Sequence, residues 1–599
     1  MSKEEKLRSE IDDKYKWDLS NMYQNNKEVM EDINSINILI KQYDEYKGVI
    51  AKDSNHLYEF LTFDSKVDEL IMNLYVYASI RNDSDMNNKE SEALFNQVSN
   101  IYFELSEKRA FVIPELLETK YDVVKKYLKE NKMLNAYKFV LENIYRFQNY
   151  TLNKTSEKIL SNLDSVSSKF SDSFSVLKAT ILDYGYIVDE NQEEVKLTNG
   201  NYSKYIISKN QEVRKRTYMQ YYSEYKKYEK LIAIDYSGSI KTDTYNSKAR
   251  GFTSSLERYL YDDGVTVKLF DGIISCVNKN LNVLQHYYEL IKEVLHLKEV
   301  NEYDLSAQLC DNNKKYDLND CKKIIISSLK PLGVEYSKIL TKALNNRWID
   351  YYSNKGKQSG YYSTSSYKGN PVILANYQDD FTSVLSITHE LGHAVHSYYS
   401  NKNQPTYLAE YSIFVAEVAS LTNEMLVCNY ILENSTNKAE KLEVIEYLLS
   451  TISNNLFGAV RGSEFEKKAH ELSDNNDIIT SETLDDVELN LKKKYYSNVV
   501  KTNDLSSCAW SRIGHYYNSF YYYKYAIGIS SACFVSQQIL SNNKEYLNKY
   551  LEFLKLGGSK YPLDELKTIG IDLSDEKIIK NAIDYFDKMI EKFKETYNS

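Results

Sequence analysis

The chain has 599 residues, of which 56 are Tyr, 19 are Gly and only 5 are Pro, and its formal net charge is −10. Glycine and proline punctuate sheets and loops, so their scarcity argues against a β-sandwich, a β-barrel or a collagen-like chain and predicts a mainly α-helical protein. The balance of 75 basic and 85 acidic side chains disfavours nucleic acid and anionic membranes as partners, because both require a basic surface.

The first ~180 residues have apolar side chains at helical spacing, as in Val67–Ala78, and this pattern predicts repeated amphipathic helices. A short β-hairpin is predicted next, from Ile181–Val188 across a polar turn to Val195–Leu197. We place a domain boundary near residue 200. It separates an N-terminal helical lobe, residues 1–200, from a second domain, residues 201–599.

Helices are predicted to resume after the hairpin, with one interruption at Ser359–Tyr377. That stretch contains clustered Gly and Pro residues and is predicted to be a loop followed by a strand at Val372–Tyr377. Asp379 or Asp380 then provides an N-cap for a helix running from about Phe381 to Tyr399.

The cysteines and the apolar segments favour a cytoplasmic protein without a membrane anchor. The six cysteines are scattered with no CxxC pair, which predicts reduced thiols. The first ten residues lack the apolar region of a secretory signal. The most apolar window, Ala526–Leu540, is shorter than the ~20 residues that span a bilayer, so it predicts a buried helix.

Three of the eight histidines fall within eight residues, as His389, His393 and His396. His389 and His393 are one helical turn apart on one face, where both imidazoles can reach a single tetrahedral ion. Glu390 lies about 100° around the helix, so its carboxylate can reach a water beside the ion without being a ligand. This H-E-x-x-H pattern is typical of zinc peptidases. His396 shares the face and either supports a ligand or simply packs; both interpretations stay open.

The segment from Gly369 to Asn437 is mostly apolar, yet it contains seven acidic residues and one basic residue, a formal charge of −6. Buried carboxylates without partners are destabilising, and a divalent cation would relieve that cost. Basic residues distant in sequence could provide the pairing instead, and this alternative stays open.

Glu410, Glu417 and Glu424 are spaced by seven residues and therefore share one face of a second helix. A catalytic zinc commonly has three protein ligands, and one of these glutamates is the natural third. We choose Glu417 because its neighbours are the least polar. Spacing alone does not separate it from Glu410 or Glu424.

With these motifs the chain resembles the oligoendopeptidase F branch of the thimet-oligopeptidase (M3) family of zinc peptidases, over nearly its whole length. Two blocks surround the candidate site, His389-Glu-Leu-Gly-His-Ala-Val-His396 and Tyr411-Ser-Ile-Phe-Val-Ala-Glu417. Similar family blocks occur elsewhere: Tyr15-Lys-Trp-Asp-Leu19, Ala249-Arg-Gly-Phe-Thr-Ser-Ser-Leu-Glu257 and Gly557-Gly-Ser-Lys-Tyr-Pro-Leu-Asp-Glu-Leu566.

The resemblance implies a helical fold of two lobes around a deep substrate channel, with residues 201–599 as the catalytic domain. It implies one zinc ion bound by His389, His393 and Glu417, with Glu390 as general base. It also implies that three residues of a Tyr-rich segment stabilise the transition state: His515, Tyr522 and Tyr525. The strand Val372–Tyr377 resembles an edge strand that binds the substrate backbone by β-addition.

The resulting hypothesis is a zinc endopeptidase that hydrolyses internal bonds of short unfolded oligopeptides. The expected partners are oligopeptide substrates, with no nucleic acid and no membrane, and the chain is expected to be a monomer or a small homo-oligomer. Two alternatives remain: a zinc carboxypeptidase of related helical fold, and a catalytically inactive peptide-binding protein.

Overall fold

The structure is a computed structural model that describes residues 5–311 and 314–599. About 70% of the chain is helical and 3% is strand, which confirms the predicted mainly α class. The helices α1 to α24 are, in chain order, Asn26–Tyr46, Ser54–Ser84, Lys89–Arg109, Val112–Glu118, Tyr121–Glu130, Lys138–Tyr145, Lys154–Val176, Tyr202–Ile206, Gln211–Arg250, Ser255–Asp262, Val267–Asn278, Leu281–Val294, Leu318–Ser328, Gly333–Asn345, Phe381–Asn403, Thr406–Ala409, Ile413–Asn434, Lys438–Ile452, Ala459–Asp474, Ser481–Tyr496, Tyr523–Leu540, Lys544–Phe553, Pro562–Thr568 and Lys577–Asn598.

Seven short strands also occur in the described residues. Strands β1 to β7 are Tyr186–Val188, Glu194–Lys196, Val300–Asn301, Ile349–Asp350, Tyr362–Thr364, Val372–Leu374 and Val500–Lys501. The first two form an antiparallel pair, which confirms the predicted hairpin. The third and the last pair in parallel.

The chain divides into two compact units, each assembled from three separate segments. Unit 1 comprises residues 1–151, 314–430 and 535–570, and unit 2 comprises residues 152–313, 431–534 and 571–599. The predicted boundary near residue 200 lies inside unit 2. The functional division into a lobe 1–200 and a catalytic domain 201–599 stays a prediction.

In unit 1 the N-terminal helices pack on their apolar faces, as the sequence periodicity predicts. Helix α1 begins at an Asn25 cap and buries Val29, Ile33, Ile36 and Ile40. These side chains join one core with the buried faces of α2 and α3. Burial of this kind, at about 25 cal/mol for each Å² of apolar surface, is the main force that holds such helices together.

A three-stranded sheet in unit 1 has the order β4–β6–β5. Strand β6 lies in the centre: it pairs in parallel with β4 and antiparallel with β5. The expectation that Val372–Tyr377 contains a substrate-binding edge strand is therefore wrong, because both sides of β6 are already hydrogen-bonded. Strand β5, Tyr362–Thr364, is an edge strand of this sheet instead.

Unit 2 is organised around α9, a helix of 40 residues. Near its N-terminus Arg214 is fully buried, and its guanidinium pairs with Asp304 at 2.6 Å. The helix ends at Gly251, which adopts a left-handed conformation with φ of 87°. Such a residue is a common C-terminal cap, because glycine has no Cβ to clash there.

All six cysteines are buried thiols outside any disulfide, as predicted: Cys276, Cys310, Cys321, Cys428, Cys508 and Cys533. The apolar window Ala526–Leu540 lies within α21. In the described part of the chain, no helix combines the length and hydropathy needed to cross a membrane.

Candidate active site

Helix α15 carries the H-E-x-x-H motif and begins where the sequence predicts. Asp380 is its N-cap, and the Asp380 carboxylate accepts a hydrogen bond of 2.8 Å from the backbone N–H of Ser383. The predicted end at Tyr399 is four residues short, since the helix continues to Asn403. His389 and His393 therefore lie in the middle of a regular helix, which fixes their spacing on one face.

Helices α15 and α17 approach very closely at Gly392. A Cβ atom added at this glycine would lie 2.5 Å from the Cα of Ser420 and 2.9 Å from the carbonyl oxygen of Ala419. Real side chains do not come so near to backbone atoms, so only glycine permits this contact. The approach brings Glu417, one turn before Ser420, beside the two histidines of α15.

His389, His393 and Glu417 form the group in the described residues that could hold a metal ion. The two Nε2 atoms are 3.1 Å apart. The Glu417 carboxylate oxygens lie 3.6 Å from the His389 Nε2 and 3.8 Å from the His393 Nε2. A tetrahedral zinc with bonds near 2.0–2.1 Å would separate its ligand atoms by about 3.3 Å. The observed distances match this geometry closely.

The electrostatics of the group also fit a cation. Burial raises the pKa of Glu417, with the nearby His389 acting in the opposite direction. Burial lowers the pKa of His393 well below its usual value, and the charge of His389 adds to this effect. A metal ion bound here would compensate the charge of a buried Glu417 carboxylate and would bind the imidazoles in their neutral form.

Glu424, one of the alternatives for the third ligand, has a different role in the site. Its carboxylate lies 2.5 Å from the Nδ1 of His389, the ring nitrogen that faces away from His393. Burial alone would lower the pKa of His389, but its hydrogen bond and charge interaction with Glu424 raise it to about 9. Carboxylates placed in this way orient the ring of a metal-binding histidine and increase its basicity.

Glu390 lies at the same site but outside the ligand group. Its side chain is only 7% exposed. Burial raises the pKa of Glu390 to about 7, although the charge of His389 lowers it. The backbone N–H of Ser363 in the edge strand β5 opposes the effect of burial and lowers the pKa of Glu390. A carboxyl group with a pKa near neutrality can both accept and return a proton.

His396, whose role the sequence leaves open, is packed against an aromatic ring. Its imidazole is stacked on Tyr411 with ring centroids 3.7 Å apart. Burial lowers the pKa of His396 to about 3, so it is neutral. The Tyr411 hydroxyl donates to the backbone carbonyl of His393 at 3.2 Å. His396 therefore supports α15 through packing and is not part of the ligand group.

In unit 2 the structure brings His515, Tyr522 and Tyr525 together. The His515 Nε2 lies 3.3 Å from the Tyr525 hydroxyl. The ring of Tyr522 lies 5.3 Å from that of His515. Burial lowers the pKa of His515, as does the charge of Lys178, and burial raises the pKa of Tyr522 to about 12. A neutral histidine and protonated phenols are hydrogen-bond donors of the kind that stabilise an oxyanion.

Two buried acids of unit 2 hold the segment between His515 and these tyrosines. The Ser519 hydroxyl donates to Asp243 at 2.6 Å, and the backbone N–H of Phe520 donates to Glu466 at 2.9 Å. Phe520 adopts a φ of 56°, a region that non-glycine residues rarely occupy. The hydrogen bonds to both acids keep the segment in this conformation.

Several of these residues were not found by sequence reasoning. The spacing of seven residues marked Glu424 but could not show that it contacts the far side of His389. No sequence signal marks Ser363, which acts through its backbone N–H, or Asp243 and Glu466, which are remote in sequence from the segment they hold.

Comparison with known proteins places the chain in a family. The model of peptidase family M3 matches residues 205–585. A second model, described as Oligopeptidase F, matches residues 115–184. The first match alone covers more than half of the chain and includes His389, His393 and Glu417.

Individual proteins agree with the family models. The Bacillus subtilis oligopeptidase PepF is 34% identical over 98% of this chain and 88% of its own length. A solved peptidase from Chlamydophila abortus is 32% identical, with a TM-score of 0.92 over 99% of this chain and all of that one. The oligoendopeptidase F of Enterococcus faecium is 26% identical, with a TM-score of 0.74 over 96% of this chain and 99% of that one. The chain therefore belongs to peptidase family M3, in its oligoendopeptidase F branch.

Proposed function

We propose that this chain is a zinc-dependent endopeptidase that hydrolyses internal bonds of short, unfolded oligopeptides. One observation carries the proposal: the donor atoms of His389, His393 and Glu417 converge at distances suited to zinc, with the buried carboxyl of Glu390 beside them. Family membership supplies the reaction class. The chemistry that zinc supplies when bound is Lewis acidity toward the scissile carbonyl and a lowered pKa for water.

The protein residues then divide the remaining tasks. Glu390 removes a proton from the attacking water and later delivers it to the leaving amine, which its pKa of about 7 permits. Glu424 holds the ring of His389 in place through the Nδ1 atom. His515, Tyr522 and Tyr525 donate hydrogen bonds to the tetrahedral oxyanion.

The edge strand β5 is the candidate for binding the substrate backbone. An extended peptide can add to its free edge by backbone hydrogen bonds, which recognise any sequence and require an unfolded chain. Because the backbone N–H of Ser363 in β5 lowers the pKa of Glu390, a peptide on this strand would lie close to the general base. The cytoplasm is the proposed location, and a monomer or small homo-oligomer is the proposed assembly.

The decisive experiment compares wild type with Glu390→Gln on a peptide blocked at both ends. Zinc-loaded wild type should cut inside the blocked peptide, as read by mass spectrometry. The variant should retain zinc and bind the peptide, with turnover reduced by about 10² to 10⁴. Glu410→Gln is the matched control, because Glu410 is an exposed acid between α16 and α17, and it should retain wild-type turnover.

Each competing function predicts a different result. A carboxypeptidase would leave the doubly blocked peptide intact and shorten a free peptide from its C-terminus. A peptide-binding protein without activity would contain little zinc after purification and cut neither peptide. Full activity in Glu390→Gln would contradict the proposed mechanism.

A further inference from the structure

Unit 2 contains a polar cavity of about 230 Å³ whose wall includes Tyr522 but whose charged side chains have no part in the proposed mechanism. By the same measure, one water needs about 10–15 Å³, so the cavity has room for a small ligand group. Its walls come from α8, α9, α19 and α20 and from residues 509–513, just before His515. Three bases and two acids line it: Arg461, Lys492, Arg512, Glu302 and Glu488.

Both acids in the cavity wall are already paired with bases. The Lys492 ammonium lies 2.8 Å from the Glu302 carboxylate and 3.8 Å from that of Glu488. The Arg461 guanidinium lies 3.3 Å from Glu488. Glu302 also accepts hydrogen bonds from the hydroxyls of Tyr218 and Ser506. Two bases therefore neutralise two acids, and the charge of Arg512 is left over.

Arg512 has no acceptor of its own. Within residues 5–311 and 314–599, no carboxylate lies within ion-pair distance of its guanidinium and no oxygen accepts a hydrogen bond from it. Its guanidinium carbon lies 5.9 Å from the centroid of the Tyr222 ring. A guanidinium has five N–H donors and stays charged at every physiological pH. An unpaired guanidinium inside a protein calls for an anion.

Tyrosine hydroxyls supply further donors. Five tyrosines in the wall have hydroxyls with no hydrogen-bond partner among the described residues: Tyr202, Tyr222, Tyr496, Tyr516 and Tyr522. Phenol hydroxyls next to a guanidinium can complete the hydrogen bonds of a planar anion. The one uncompensated positive charge in the cavity, that of Arg512, balances an anion with a single negative charge. It would balance only one of the two negative charges of a phosphate dianion.

We propose that this cavity is a carboxylate-binding site in which Arg512 binds the anion and the surrounding phenols complete its hydrogen bonds. Planar carboxylates match the paired N–H groups of arginine, which can bind both oxygens at once. This inference rests on the proposed function. The first expected source of the bound carboxylate is the free C-terminus of a peptide substrate or product. The second expected source is a small free molecule that carries a carboxylate group.

The test compares two peptides of one sequence, one with a free C-terminal carboxylate and one with a carboxamide. For zinc-loaded wild type, the KM of the acid should be about 10- to 100-fold below that of the amide, the range expected for hydrogen bonds to a charged group. In Arg512→Gln this ratio should fall to near one. Arg216→Gln, an exposed arginine on α9 of the same unit, is the matched control and should keep the wild-type ratio.

Tyr222→Phe removes one hydroxyl and keeps the ring, so it should reduce the ratio partially. It also serves as the second variant if Arg512→Gln fails to fold, which circular dichroism would reveal. Inhibition of cleavage by sodium acetate, compared with sodium chloride at equal ionic strength, distinguishes the two sources of the carboxylate. If acetate binds and inhibits while acid and amide peptides have equal KM, the site takes free carboxylates and not peptide ends.

Equal KM values for acid and amide in wild type, together with no effect specific to acetate, would overturn the proposal. An unchanged ratio in both Arg512→Gln and Tyr222→Phe would also overturn it. These failures are separate from failure of the proposed function, in which zinc-loaded wild type would cut neither peptide.

Discussion

His389 is held through both of its ring nitrogens. Its Nε2 faces His393 and Glu417, and its Nδ1 lies 2.5 Å from the Glu424 carboxylate. Two glutamates separated by two helical turns thus act on opposite sides of one imidazole. The spacing of seven residues identified both as candidates for the third ligand, but only the position of the His389 ring shows that Glu417 lies on its Nε2 side and Glu424 on its Nδ1 side.

We expect Glu424→Gln to weaken zinc binding without abolishing it. The amide cannot supply the negative charge that orients His389 and increases its basicity, so the zinc affinity should fall by about 10- to 100-fold. A competition titration with a chromophoric chelator measures this affinity. Glu410→Gln should bind zinc as wild type does, whereas Glu417→Gln should lose most binding. An unchanged affinity in Glu424→Gln would show that this contact has no role.

A second buried carboxyl group affects stability instead of chemistry. Glu565 is 2% exposed, and its Oε2 has no hydrogen-bond partner among the described residues. Burial raises the pKa of Glu565 to about 9, with Lys560 acting in the opposite direction. In the unfolded chain a glutamate has its ordinary pKa of about 4.3. Between these two values the folded state binds more protons than the unfolded state.

This difference should make wild type lose stability as the pH rises from 6 to 9. The folded state must keep a proton on Glu565, and protons become scarcer in solution over this range. Glu565→Gln stays neutral and should lack this contribution. The apparent unfolding temperature should therefore fall less for Glu565→Gln than for wild type over the same pH range. The difference between the two decreases should be roughly 2 °C or more. Thermal unfolding followed by circular dichroism at both pH values measures it. Parallel curves for the two proteins would contradict the pKa shift.

At the scale of elements, the site depends on one contact between two helices. Helix α15 supplies the histidines and α17 supplies the glutamates, and Gly392 lets their backbones meet near Ser420. The motif H-E-x-x-H leaves its two middle positions undefined. Tertiary packing is what requires a glycine at the second of them in this chain.

We expect Gly392→Ala to destabilise the protein and weaken zinc binding together. Its Cβ would overlap backbone atoms of α17, which cannot move aside as a side chain can, so the cost should be about 1–3 kcal/mol or more. Urea denaturation and the chelator competition measure both effects. Gly272→Ala is the control, since a Cβ there meets nothing within 4 Å in α11 and should be neutral or stabilising. Equal behaviour of the two variants would contradict the argument.

The short sheet shows where element-level prediction reaches its limit. A strand near Val372 could be predicted because a Gly- and Pro-containing loop precedes an apolar run. Its position in the centre of the sheet could not, because β4 and β5 are two- and three-residue strands without a pattern of their own. The edge beside Glu390 therefore belongs to β5, which the sequence did not mark as a strand.

At the scale of the whole molecule, the three candidate metal ligands belong to unit 1, which is built from three distant segments. Removal of zinc with a chelator should abolish peptide cleavage and lower the unfolding temperature. A ligand that binds only the folded state stabilises it by about 4 kcal/mol at a thousand times its Kd. Calorimetry of zinc-loaded and chelated protein should show a reversible loss, restored by zinc. An unchanged transition would contradict folded-state zinc binding.

The sequence by itself determined the helical class, the hairpin, a helix cap at Asp379 or Asp380 and the H-E-x-x-H helix. All of these depend on interactions between residues a few positions apart, for which periodicity and capping are direct evidence. Tertiary structure decided the positions of Glu417 and Glu424 around His389, the packing of His396, the place of β5 at the edge of its sheet and the unpaired charge of Arg512. These depend on contacts between segments far apart in the chain, and local spacing carries no information about which distant side chain will meet them.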